Sequence, residues 1–156
     1  MELESIKSKD EPPAKETDNL AQIIKREIKT YVLRAGRMTA AQQKAYDELA
    51  PSWCIPFEKK LLNFVDVFGN TNPIIVEIGF GMGDATVALA EANPNINYLG
   101  IEVHTPGVGK VLSEIKKRDL KNLFIIEFDA LEVFEFMIGD KSINGIILKN
   151  IKTTTD

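Results

Sequence analysis

A single cysteine and a single histidine stand in a chain of 156 residues. Cys54 alone cannot close an internal disulfide, which fits a reducing cytoplasm. One cysteine and one histidine also leave no ligand set for a dedicated zinc site, so no metal is expected. No apolar run approaches the ~18–20 residues that a membrane-spanning helix needs, so no membrane partner is expected. The polar stretch from Met1 to Asp18 lacks the apolar segment of a secretory signal. Positive charge is short as well: 19 Lys and Arg face 23 Asp and Glu, a net charge of −4. A wholesale nucleic-acid coat is thereby excluded, whereas a local basic patch is not.

What remains is ordinary for a soluble globular chain, with 44% hydrophobic and 27% charged residues and length for one domain. Residues 1–19 are rich in Glu, Lys, Ser and Pro and read as a disordered tail. Residues 20–70 read as an N-terminal helical and basic segment, with a weak helix over Leu20 to Lys29. Between Ile28 and Tyr46 the only charged residues are Lys29, Arg34, Arg37 and Lys44, all basic. Thr39-Ala-Ala-Gln42 has the form of a capping box and starts a helix through Leu49, which Pro51 is expected to stop. Phe57, Leu61, Phe64, Val65 and Phe68 recur at helical spacing, which predicts a helix over Phe57 to Phe68 before Gly69.

From Pro73 onward strands and helices alternate. Ile74 to Ile78 is a β-branched run suited to a buried parallel strand, followed by a glycine-rich turn and a helix from Asp84 to Ala92. Further strands are predicted at Tyr98 to Glu102, Leu123 to Phe128 and Ile143 to Leu148. Between them lie helices opened by Thr105 as N-cap and Pro106 as first residue, and from Leu131 to Ile138. The alternation implies an α/β fold with a parallel sheet and helices on both faces.

Glu77-Ile-Gly79-Phe-Gly81-Met-Gly83-Asp84 lies between the first strand and its helix. Glycines there permit a tight turn and close approach of a ligand to the backbone. A dinucleotide fingerprint would place its third glycine at position 84, which holds Asp84. Acids at this turn repel a phosphate but suit a cationic, phosphate-free nucleoside such as S-adenosylmethionine. Glu102 closes the second strand, where a carboxylate can accept both ribose hydroxyls, and Asp129 closes the third, where it can accept from an amino group. Each acid has a plainer reading as a solvated strand-end carboxylate; their shared position at the carboxyl ends of three successive strands is the signal.

Other residues read more plainly. His104 follows Glu102 at a strand end and is either a pocket wall or a bystander. Trp53 and Cys54, between Pro51 and Pro56, read as local packing, and Cys54 has no base partner that would make it a nucleophile. Lys116, Lys117 and Arg118 read as a solvated helix end. Arg34 and Arg37 flank Gly36 and are either phosphate clamps or a solvated basic loop.

Glu77-Ile-Gly-Phe-Gly-Met-Gly83, Leu99-Gly-Ile-Glu-Val-His104, Pro106-Gly-Val-Gly109 and the segment Ile28 to Thr39 together resemble the bacterial tRNA (guanine-N7)-methyltransferases, over about Ile28 to Leu148. The resemblance implies a Rossmann-like S-adenosylmethionine-dependent methyltransferase fold. Residues 71–148 would be its cofactor-binding half, with the sheet incomplete. It implies methyl transfer from S-adenosyl-L-methionine to N7 of a variable-loop guanine in tRNA. Glu77, Gly79, Gly81, Gly83, Glu102 and Asp129 would hold the cofactor, Arg34 and Arg37 would touch the tRNA, and the protein would act as a monomer or homodimer.

The resemblance departs after Leu148. There the family carries Phe-Phe-Pro-Asp-Pro-Trp and a basic run, whereas this chain reads Lys-Asn-Ile-Lys-Thr-Thr-Thr-Asp over residues 149–156, an unpatterned end. The family's Asp position falls on Lys152, so no catalytic residue carries over. The expectation is a chain of the methyltransferase family with little or no transfer activity of its own; the alternative is a truncated remnant that at most binds S-adenosylmethionine or S-adenosylhomocysteine.

Overall fold

The computed structural model describes residues 37–148. Arg34, Lys152, the expected tail at 1–19, the weak helix at 20–29 and the end at 149–156 lie outside the described residues.

The elements in order are α1 (Ala40–Trp53), α2 (Phe64–Phe68), β1 (Ile74–Ile78), α3 (Asp84–Ala92), β2 (Asn97–Ile101), α4 (Thr105–Arg118), β3 (Leu123–Ile126), α5 (Ala130–Phe136) and β4 (Gly145–Leu148). The strands form one sheet in the order β3-β2-β1-β4, and every pairing is parallel. Side chains alternate between two covered faces, as a parallel sheet requires. Val76, Leu99, Ile101 and Ile126 face α2 and α5 with Phe64, Val133 and Met137. Tyr98, Leu123 and Ile125 face the other way, onto α3, α4 and α1 with Val87, Val108, Val111 and Ile115. Helices thus cover both faces, and each fully buried aliphatic side chain contributes about 1.5–3 kcal/mol. Among the described residues β4 is an end strand, and Ile146 on it is 38% exposed.

The capping box forms as expected: Gln42 N–H donates to Thr39 Oγ1 at 3.1 Å and Thr39 N–H to Gln42 Oε1 at 2.8 Å. The helix does not stop at Pro51, however, and runs on to Trp53. Proline removes only its own donor, and Cys54 N–H still closes the last turn on Ala50 O at 2.9 Å. The continuation is held by packing, with the Trp53 and Phe124 ring centroids 5.1 Å apart.

The expected helix over Phe57 to Phe68 is reduced to Phe64–Phe68. The preceding backbone donors go elsewhere, Ile55 N–H to Ile125 O at 2.7 Å and Leu62 N–H to Met137 O at 2.8 Å. Phe57 stacks on Phe128 with centroids 4.0 Å apart. Leu61 and Val65, two residues of the apparent apolar stripe, are 60% and 50% exposed.

Thr105 is also not an N-cap. His104 occupies that position, Thr105 is the first helical residue, and its hydroxyl donates to Glu127 instead. The third and fourth strands are shorter than expected, ending at Ile126 and starting at Gly145.

Candidate functional site

Of the residues singled out in the sequence, Glu77, the glycines of the turn, Glu102 and Asp129 lie at or just beyond the carboxyl ends of β1, β2 and β3. Glu77 sits in the central strand β1 with 0% exposure. The turn after β1 places Gly79, Gly81 and Gly83 at φ of 71°, 61° and 77°, left-handed backbone that other residues adopt at a cost. Gly79 N–H donates to Ile101 O at 2.9 Å, which ties the turn to the end of β2.

Two helical glycines explain the Pro-Gly-Val-Gly segment. A methyl group at Gly107 would run into the backbone carbonyl of Gly81. One at Gly109 would meet the Gln42 carbonyl at 3.0 Å, where α1 crosses α4. Glycines in a helix cost stability relative to alanine. Here that cost is offset by the close approach of α4 to both the turn and α1.

Glu102 follows β2 directly and is 4% exposed. Burial pushes its carboxyl up to about 7, while the backbone N–H groups of Gly81, His104 and Val103 hold it down in part and Glu127 raises it slightly. Its Oε1 has no hydrogen-bond partner among the described residues. A buried acceptor of this kind calls for a donor, and vicinal hydroxyls of a ribose are suitable ones.

Asp129 is not in the strand. It lies beyond Ile126 and serves as the N-cap of α5, where Oδ1 accepts from Leu131 N–H at 2.7 Å and Glu132 N–H at 3.4 Å. Both bonds use the same oxygen, so the other remains chemically able to accept from a ligand. Asp84 departs further from expectation. Its carboxylate turns outward, 79% exposed, and pairs with Lys110 at 2.7 Å. The acidic side chains near the strand ends are therefore Glu77, Glu102, Glu127 and Asp129, while Asp84 faces away from them.

Beside these ends lies a cavity of about 680 Å³, walled by the end of α1, the Cys54–Phe57 segment and the loops after β2 and β3. Ile55, Phe57 and Phe128 give it apolar surface, Glu127 and Asp129 give it acid, and among the described residues no Lys or Arg lines it. Such a lining accepts a flat heterocycle with amino donors, and its described side chains offer no cation to clamp a diphosphate. The strand-end residues and the cavity therefore fit a phosphate-free nucleoside. Arg37 is exposed ahead of the α1 N-cap and is not among the lining residues.

Cys54 is part of the wall, and burial, then the charge of Glu127, pushes its thiol up to about 12. It is a packing residue, not a nucleophile. Glu127 itself was not marked by the sequence. Tyr46 donates to its Oε2 and Thr105 to its Oε1, each at 2.6 Å. No local pattern could have revealed it, because Tyr46 lies 81 positions away. Among the described residues, no cluster of His, Cys, Asp and Glu is suited to a metal ion, and no helix is long and apolar enough to cross a membrane.

The chain is 45% identical over 126 residues to a tRNA (guanine-N(7)-)-methyltransferase of Methylobacillus flagellatus, covering 80% of this chain and 53% of the relative. It is 49% identical over 122 residues to one from Francisella tularensis subsp. novicida, covering 78% and 53%. The chain thus spans about half the length of the curated relatives it matches. Among solved structures, an antibiotic-related methyltransferase overlaps 46% of this chain and 40% of its own, at 20% identity and a TM-score of 0.39. A family model described as "Putative methyltransferase" matches residues 71–149. That match takes in half of the chain, and the chain belongs to this methyltransferase family.

Proposed function

We propose that this chain is the cofactor-binding half of a tRNA (guanine-N7)-methyltransferase, and that it binds S-adenosylmethionine at the carboxyl ends of β1, β2 and β3. The observation that carries the reading is Glu102: a carboxylate 4% exposed, one oxygen without a partner among the described residues, next to a cavity whose described lining carries acid and apolar side chains. Membership of the methyltransferase family and the names of the relatives support the same direction.

In this reading Glu102 accepts the ribose hydroxyls, and Asp129, through the oxygen that does not cap α5, accepts from the adenine amino group. The glycine turn admits the ligand close to the backbone, and the carboxyl group of Glu77 lies on the strand that leads into that turn. When bound, the cofactor supplies a methyl group on a sulfonium. Guanine N7 already carries an in-plane lone pair, so transfer needs alignment more than a base. Arg34 and Arg37 would touch tRNA phosphates and set register on the RNA. The setting is the cytoplasm.

Equilibrium binding of S-adenosylmethionine and of NAD to the purified chain tests this. S-adenosylmethionine should bind and NAD should not; tighter binding of NAD would overturn the reading.

A further inference from the structure

We propose that Glu127 is a positioning residue of the nucleoside site: its carboxylate, bridging the Tyr46 and Thr105 hydroxyls, fixes the spacing of the cavity's walls. This rests on the reading of the cavity given above.

The loop from Glu127 to Asp129 lies between the end of β3 and the start of α5. Three pieces of the site meet at Glu127. Tyr46 comes from α1, which forms one wall of the cavity. Thr105 is the first residue of α4, whose Gly107 rests against the Gly81 carbonyl of the glycine turn. Asp129 follows on the same short loop and also lines the cavity. One carboxylate with a hydroxyl on each oxygen, both at 2.6 Å, therefore ties a wall, the turn and an acceptor together. Charge-assisted hydroxyl–carboxylate bonds of this length are about twice as strong as neutral ones and directional.

The three contributing segments are far apart in sequence. Their relative placement is set by side chains at a point where the backbone has left the sheet. Loss of the bridge lets α1 and the start of α4 move independently of Asp129, and the cavity then loses its fit to a rigid nucleoside.

The test uses the full chain with Glu127→Ala, Glu127→Gln and Tyr46→Phe variants. Each is titrated with S-adenosylhomocysteine and with S-adenosylmethionine, and backbone amide hydrogen exchange is followed in α1 and the first turns of α4. Glu127→Ala should lose about tenfold or more in affinity for both ligands alike. Its amides in α1 and at the start of α4 should exchange faster, with β1 and β2 unchanged. Glu127→Gln should recover most of the affinity, because its amide can accept from one hydroxyl and donate to the other. Tyr46→Phe should fall between. Parent-like affinity in Glu127→Ala would overturn the proposal. So would equal losses in the Ala and Gln variants with S-adenosylmethionine losing more than S-adenosylhomocysteine, since Glu127 would then act as a charge toward the sulfonium. If the parent binds neither ligand, the nucleoside reading itself fails, and exchange decides the bridge alone: faster exchange in both segments of Glu127→Ala supports it, and no change overturns it.

Discussion

Tyr46 Oη lies 2.6 Å from Glu127 Oε2, joining α1 to the loop after β3 across 81 positions of sequence. The bond, with burial and the charge of Glu127, raises the phenol well above its ordinary value, so the hydroxyl keeps its proton and donates it. Tyr46→Phe leaves one carboxylate oxygen without its donor. It should cost about 1–2 kcal/mol of stability, read as a lower urea midpoint with an unchanged slope.

Glu102 gives a pH dependence of definite sign. Its folded carboxyl sits at about 7 against an ordinary 4.5, so the folded chain holds a proton that the unfolded chain releases. Stability from this group is full below the unfolded value, falls as pH rises through the window, and levels off above about 7. Ligand binding runs the other way: ribose hydroxyls donate to the ionised form, so affinity should grow across the same window. Melting temperatures of the parent and Glu102→Gln between about pH 5 and pH 8 check the first effect. The parent should lose stability relative to the variant as pH rises. Titrations with S-adenosylhomocysteine at the two ends of that range check the second.

Gly107→Ala should destabilise the chain by about 1–3 kcal/mol, the usual cost of overpacking. The methyl group would meet the Gly81 backbone carbonyl, and a carbonyl in a tight turn has little room to yield. The same variant should weaken nucleoside binding, because the turn must shift to relieve the clash. Thermal melts and a titration of one preparation measure both effects.

Much of this architecture is legible in the sequence where one local signal dominates. The β-branched run at Ile74–Ile78 and the glycine-rich turn before Asp84 fix β1 and the start of α3 at their observed bounds. Thr39 and Gln42 are enough to mark the start of α1. Sequence spacing fails where tertiary partners claim the backbone. Phe57 to Asn63 has helical periodicity, yet Leu62 N–H serves Met137 and Phe57 serves Phe128. Thr105 has the identity of a cap, yet a carboxylate from a distant loop takes its hydroxyl. The same holds for the site. Glu77, Glu102 and Asp129 are visible as acids at or near strand ends. The capping role of Asp129, the outward turn of Asp84 and the bridge at Glu127 depend on contacts with no local signature.

The 156-residue polypeptide should bind cofactor yet transfer little methyl to tRNA. Lys152 stands where the tRNA methyltransferase resemblance places an aspartate. A carboxylate attracts a sulfonium, and a lysine carries the opposite charge. Methyl incorporation into unmodified tRNA should be near background for this polypeptide. It should rise when residues after Leu148 are replaced by the corresponding half of a curated relative. Comparable turnover by both would refute the expectation.

The most direct measurement is a calorimetric titration of the parent and Glu102→Ala with S-adenosylhomocysteine at about pH 8, with circular dichroism to confirm that both are folded. If Glu102 anchors the nucleoside, the variant should lose about 1–3 kcal/mol of binding free energy, roughly 5- to 150-fold in affinity. Parent-like binding by a folded Glu102→Ala chain would contradict a nucleoside site at these strand ends.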